Sequence, residues 1–402
     1  MTTSAMTLSL PAHVPVPAGQ RPAGPAAPVR RDGLLDALRG LSLIAVVLGH
    51  WLVTGLTVTG GAGAPGGLAA VSPLAAMPWL APLTWAVAVL AVFFAVGGRT
   101  SAESWGRAAA RGETAPAWLA RRLRRLAGPL AGAAGAAAVL AGAALAAGIP
   151  VATLATVGAI CAQPLWFLGV YAVLTALTPL AVRLDRRAGL AAPAAMAGAV
   201  AAIDAWTRGA LPWAAPSGVG WLALLPGWAF AFQLGARWAR GPVGRRAAKA
   251  TFLGGVGGVI VLMGFCGYSV SMVGGPGLGR SNTHPPSLAL LALEAAVVGS
   301  IWAWEPALRR AAARPRVRSL SGLAGTAPIT ILALHQAVAL APALLAGLVW
   351  PAAGVPGLTA APDGLGWVAA RLIWLGLFAG LLAAAVRGLR RLEGTRFAWA
   401  AG

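Results

Sequence analysis

Arg39 and His50 stand eleven residues apart in a long apolar run that begins near Asp32. On a helix, eleven residues are about three turns plus 20°, so the two side chains share a face with roughly 16 Å between them along the axis. Neutral imidazole accepts a proton near physiological pH, which makes His50 a general-base candidate. The Arg39 guanidinium suits a carboxylate, a thioester or a phosphate. Asp36, three residues before Arg39, is spaced to neutralise and orient it. The bland readings are a core histidine bonded to a neighbouring helix and an arginine snorkelling to the membrane surface. An ionisable stripe on an apolar run is costly in lipid, which favours a functional role.

The elements that must carry these groups are set by composition. Of 402 residues, 58% are hydrophobic and 10% charged, and mean hydropathy is +0.76. Soluble domains hold about 25% charged residues. The chain therefore reads as all-α, a polytopic integral membrane bundle. Runs long enough to span fall at 34–56, 78–98, 126–147, 163–182, 189–206, 218–237, 251–273, 287–304, 324–349 and 365–386, which makes about ten transmembrane helices. The third and fifth are rich in Ala and Gly, which suits close helix packing. Residues 1–31, broken by prolines, read as a disordered cytoplasmic tail, 32–390 as the transmembrane domain and 391–402 as a second cytoplasmic tail.

The net charge of +21 would suit nucleic acid, but its distribution does not. The basic residues lie in short clusters between apolar runs, and 28 of the 31 fall on one side of the predicted topology. The seven from Arg99 to Arg125 fill the predicted loop between the second and third runs. Opposite loops hold only Arg208 and Arg280. The positive-inside rule then puts both termini in the cytoplasm, with the lipid bilayer and not nucleic acid as the partner. Cys161 and Cys266 form no metal-ligand spacing, and no metal site is expected.

Other ionisable groups sit within or beside the runs. Glu294 lies about two turns into the eighth and needs a partner there, for which Arg371 in the tenth is a candidate; Asp363 is the alternative partner for Arg371. His335, beside Gln336, lies in the ninth. His284 precedes Pro285 and Pro286 in an outer loop. Glu294, His284 and His335 are weaker candidates for substrate contacts.

Several segments, in order, resemble the membrane acyltransferase-3 family. Leu35-Asp36-Ala37-Leu38-Arg39-Gly40-Leu41, followed by Leu48-Gly49-His50, is similar to its opening motif of an arginine, ten residues and a histidine. Phe93-Phe94-Ala95-Val96-Gly97-Gly98 resembles its Phe-Phe-x-x-Ser-Gly segment, with Gly97 where serine is usual. Arg122-Leu123-Arg124-Arg125-Leu126, with Pro129, resembles the Arg-x-x-Arg-Leu-x-x-Pro start of its third helix, and Arg121 with Arg124 offers a second register. Leu165 to Tyr171, Ser281 to Pro286 and Leu334-His335-Gln336 are similar to later segments.

The resemblance implies transfer of an acyl group, commonly acetyl from acetyl-CoA, to a hydroxyl of a carbohydrate, lipid-linked or small-molecule acceptor at the plasma or inner membrane. It matches His50 and Arg39 to essential residues, and the Arg121, Arg122, Arg124 and Arg125 cluster to the acyl-CoA side. No tightly bound cofactor is implied. Direct general-base transfer and an acyl-histidine relay are both compatible with these residues. The rival class is a proton-coupled transporter or flippase using Arg39, His50 and Glu294, against which the ordered motifs and the lack of internal repeats weigh.

Overall fold

The computed structural model describes residues 32–58, 67–210, 212–275, 277–350 and 354–393. The predicted tail 1–31 lies outside them, as do residues 394–402.

The first helix, α1 (Gly33–Val53), starts where Asp32 accepts the Leu34 N–H at 3.0 Å, a side-chain cap on an orphan donor. It ends at the extended residue Thr54 and runs into a two-stranded antiparallel hairpin, β1 (Gly55–Val58) with β2 (Leu68–Val71), paired Gly55 to Val71. A short α2 (Pro73–Ala76) and a 3-10 helix (Pro78–Ala88) lead into α3 (Val89–Ala110). Then follow α4 (Ala115–Ala146), α5 (Val151–Ala162), α6 (Trp166–Ala176), α7 (Thr178–Ala188) and α8 (Ala191–Thr207). After a 3-10 turn (Val219–Ala223) come α9 (Leu224–Trp238), α10 (Arg245–Gly264), α11 (Leu288–Ala303), α12 (Glu305–Ala312), α13 (Pro315–Gly325), α14 (Pro328–Val349) and α15 (Leu365–Glu393). Proline occupies the first turn of α4, α7, α12, α13 and α14, where its missing N–H is no loss.

Among the described residues, seven helices are long and apolar enough to cross a membrane. Two bent pairs, α7 with α8 at 108° and α11 with α12 at 76°, raise the count to nine. The apolar part of α4, Leu130–Ala146, is shorter than a span, so the described residues give seven to nine spans where about ten were predicted. This is a multi-pass helical membrane protein. The bends have a local cause: α7 and α12 are strongly amphipathic and end in arginines, so they lie where charge meets water rather than continuing a span.

One boundary expectation is corrected. The loop predicted to hold seven arginines shrinks to residues 111–114. Arg99 and Arg107 lie on α3, and Arg121, Arg122 and Arg124 on α4. Arginine is a good helix former, and the Arg99–Glu103 pair at 2.9 Å supports α3 beyond its apolar part.

Helix pairs close on glycine. A methyl group added to Gly98 of α3 would overlap the Phe232 carbonyl oxygen of α9, and one on Gly235 of α9 would overlap that of Ala95. Gly255 of α10 and Gly299 of α11 stand in the same relation to the facing backbones. Small residues let backbones approach where lipid supplies no hydrophobic drive.

The side assignment predicts that topology reporters fused after residues 215, 280 and 358 read outside, and those after 112, 243 and 312 inside. A consistently inverted neighbouring pair would overturn it.

Candidate functional site

A cavity of about 1340 Å³ runs beside α1. Asp36, Arg39, Leu43, Val46, His50 and Val53 line it at helical spacing, one stripe from the first turn to the last. A helix of 21 residues is about 30 Å long, so the cavity follows a full bilayer thickness. Arg309 and Arg318 line its basic end; Thr54, Ser72, Ser281 and His284 line the other.

His50 is the group most strictly held. Its Nδ1 lies 2.8 Å from Nε2 of His335 on α14, with the rings stacked at 5.0 Å. His335 is fully buried behind it, and its own Nδ1 lies 2.8 Å from the Leu332 carbonyl. A carbonyl only accepts, so in the neutral pair His335 carries its proton on Nδ1 and offers a lone pair at Nε2. His50 must then donate from Nδ1. Its Nε2 is left without a proton, on a ring that lines the cavity. The neighbouring Trp51 Nε1 donates to the His335 carbonyl at 2.7 Å, tying α1 to α14 at this level.

Arg371 of α15 fixes the same end of α1. Its guanidinium donates to the carbonyls of Trp51 at 2.7 Å and Gly357 at 2.8 Å, and to that of Thr54. These include carbonyls that a helix end leaves without partners. The predicted pairing of Arg371 with Glu294 or Asp363 is therefore corrected: backbone oxygens satisfy it instead.

Arg39 donates to Thr100 Oγ1 of α3 at 2.7 Å, and Arg122 of α4 reaches the next residue, Ser101 Oγ, at 3.3 Å. Asp36, Glu103 and Arg122 all lie close enough for their charges to act on Arg39. Of the α4 arginines, Arg122 thus joins the Arg39 neighbourhood. Arg121 is paired to Glu113, and the exposed Arg124 bonds the Ala120 carbonyl. The Arg125 side chain lies outside the described residues. Among the described residues, Arg121, Arg122 and Arg124 of α4 do not line the cavity, and its arginines are Arg39, Arg309 and Arg318.

Arg309 grips both carboxylate oxygens of Asp32, at 2.9 and 3.2 Å, and Glu305 besides. Asp32 thus caps α1 and joins it to α12 and, through Arg99 at 3.4 Å, to α3. Asp32, Arg309 and Arg318 were missed in the sequence. Asp32 carried a signal, as a capping residue before an apolar run. The two arginines looked like any other member of a cytoplasmic cluster.

His284 lies at the far end of the cavity, its ring edge-on to Trp166 at 4.3 Å and its Nδ1 3.1 Å from Thr283 Oγ1. Burial pushes its imidazole down to about 4, so it is neutral at working pH. Glu294 is not brought to the site. It is fully buried on α11, lies on the wall of neither this cavity nor a smaller one beside its outer mouth, and neither carboxylate oxygen has a hydrogen-bond partner. Gly97 abuts Tyr171, whose ring carbon would lie 2.6 Å from an added Cβ, so Tyr171 fills the space a side chain there would need.

The sequence matches the family described as an acyltransferase domain over residues 32–386, which takes in α1 and most of α15. No curated protein and no solved structure matches the chain.

Proposed function

The chain belongs to the acyltransferase domain family, and from that premise we propose that this enzyme, a membrane acyltransferase of non-aminoacyl groups, moves an acetyl group from cytoplasmic acetyl-CoA to a hydroxyl of a carbohydrate or lipid-linked acceptor, in the plasma or inner membrane. The observation that carries this reading is the His50–His335 pair: a histidine whose unprotonated Nε2 belongs to a ring on the wall of a cavity as deep as a bilayer.

The chemistry follows from that atom. His50 Nε2 takes the proton of the acceptor hydroxyl while its oxygen attacks the thioester carbonyl. The tetrahedral intermediate collapses, the C–S bond breaks, and the CoA sulfur leaves with the proton that His50 returns. His335 accepts from Nδ1 throughout, so it holds the tautomer and steadies the imidazolium as it forms.

Distance favours one role for Arg39. A rise of roughly 16 Å from His50 puts it beyond the 2.7–3.1 Å that an oxyanion contact needs. It suits the phosphate end of the donor, whose pantetheine arm spans the gap. Arg122, beside it through Thr100 and Ser101, extends the same basic site.

Two measurements test this. Purified protein should release CoA thiol from acetyl-CoA, and cells lacking the gene should lose one acetyl mass from an envelope glycan or lipid; absence of both would refute the reading. For the donor site, Arg122→Gln should weaken CoA binding about tenfold or more, the loss expected for one charge-assisted hydrogen bond. Arg121→Gln and Arg124→Gln, on residues turned to Glu113 and to the helix surface, should bind CoA as wild type does. Equal binding by all three variants, titrated at one salt concentration, would move the donor phosphates away from α4.

A further inference from the structure

The only two basic residues in the outer loops of the predicted topology, Arg208 and Arg280, are far apart in sequence yet line one cavity. It has a volume of about 230 Å³ and adjoins the outer mouth of the main cavity: Ser281 lines both. Trp221, half exposed, forms part of its wall and faces the His284 ring at 6.5 Å. Gly218 and Gly220 line another part without a side chain to fill it, and Gly218 sits at φ +82°, which only glycine adopts freely.

The acidic residue of this cavity is already engaged. Asp204 Oδ2 accepts from the Tyr268 hydroxyl at 2.8 Å and from the Leu288 N–H at 2.7 Å. Burial and that carboxylate push the Tyr268 phenol far up, so it stays a donor. Among the described residues no carboxylate lies within 4 Å of the Arg208 or Arg280 nitrogens, whereas Arg99, Arg121, Arg240 and Arg309 all have one. Closing the end of α8 explains part of the arrangement: Arg280 donates to the Thr207 carbonyl at 3.3 Å, and the Arg208 guanidinium lies 3.5 Å from the Tyr268 ring centre. It does not explain Arg208 Nε, which is buried and has no hydrogen-bond partner. A buried guanidinium N–H without an acceptor is costly, and two arginine forks at one cavity match an oxyanion.

We propose that this outer cavity is an oxyanion subsite, holding a carboxylate or phosphate carried by the acceptor while the acceptor's hydroxyl enters the main cavity past Ser281. The word acceptor rests on the acyl-transfer reading; the anion site itself does not. Its chemistry makes the acceptor an acidic sugar or a phosphate-bearing glycan or lipid rather than a neutral one.

The test is a saturation-transfer NMR titration of the purified full chain with two matched probe pairs, glucuronate against glucose and glycerol 3-phosphate against glycerol. The wild type should bind at least one charged probe about tenfold or more tightly than its neutral partner, and the Arg208→Gln/Arg280→Gln variant should lose that preference. Preference for glucuronate alone assigns an acidic sugar; preference for glycerol 3-phosphate alone assigns a phosphate carrier. Equal binding of charged and neutral probes by wild type, or an unchanged preference in the double variant, overturns the proposal. Should the Gln variant fail to fold, Arg208→Lys/Arg280→Lys, which keeps the charges and removes the forks, should bind the charged probe more weakly than wild type. Thiol release from acetyl-CoA by the wild type is measured alongside. Its absence sinks the transfer reading and leaves the anion titration standing.

Discussion

His50→Ala should lower acyl transfer by about 10²–10⁴, the usual worth of a general base, while the protein reaches the membrane at the wild-type level. The substitution should be tolerated because the ring lines a cavity rather than filling a packed core. Donor binding should hardly change, since the residues assigned to the CoA phosphates lie roughly three turns away. The fall should therefore appear in kcat and not in the KM for the acyl donor. His335 gives a graded companion result. His335→Phe leaves the His50 Nδ1–H without an acceptor, so the protonated and unprotonated nitrogens can exchange. A loss of about 10–100-fold is expected, by analogy with the partners that orient metal-bound histidines. His335→Gln, whose side-chain oxygen can accept the same proton, should recover part of it, and the pH–rate profile should shift between the two. Near-normal product from His50→Ala would remove this mechanism. Equal activity of the Phe and Gln variants would show that His335 only fills space.

Gly235→Val is the second large effect, and it acts on folding rather than on chemistry. Its Cβ would overlap the Ala95 carbonyl oxygen, and Gly98→Val would do the same to that of Phe232. Both obstacles are backbone, so no rotamer change relieves them. Overpacking costs about 1–3 kcal/mol where side chains can yield, and a cost at or above that range is expected here. Because 1–2 kcal/mol already changes cellular abundance several-fold, either variant should be nearly lost from the membrane. Gly254→Ala on α10, where nothing lies within 4 Å of the added carbon, is the control and should express as wild type does. Comparable yields for Gly235→Val and the control would mean that α3 and α9 separate more easily than their contact implies.

Most of the bundle was legible in the sequence because lipid imposes a strong, simple rule. A span must be about 20 apolar residues, and basic loops mark one side. Helix limits were less legible. The runs at 78–98 and 126–147 became α3 and α4, the first ending later and the second starting earlier, because arginines that mark a membrane surface are also good helix residues. The 3-10 stretch over Pro78–Ala88 left no periodic signature to read.

The site divides in the same way. Arg39 and His50 are close enough in sequence for helical spacing to put them on one face. His335 was visible only as an odd polar residue in an apolar run. That it stands behind His50, 285 positions away, is a product of α1 packing on α14, which no local pattern encodes. Glu294 shows the converse: an intramembrane carboxylate attracts a functional reading, yet it lies inside the helix packing without a partner.

The anchoring of α1 by Arg371 has a consequence for how the protein is made. The helix bearing His50 emerges first, and the guanidinium that takes up its terminal carbonyls follows 320 residues later. At translation rates of about 5–20 residues per second, that interval is roughly 15–60 s. Throughout it the His50 end of α1 has its Trp51 and Thr54 carbonyls still awaiting Arg371. Nascent chains arrested before Arg371 should therefore expose that end to thiol-labelling at an engineered cysteine, and the labelling should vanish once α15 inserts. Under the role proposed for His50, acyl transfer is expected only from chains in which α15 has inserted.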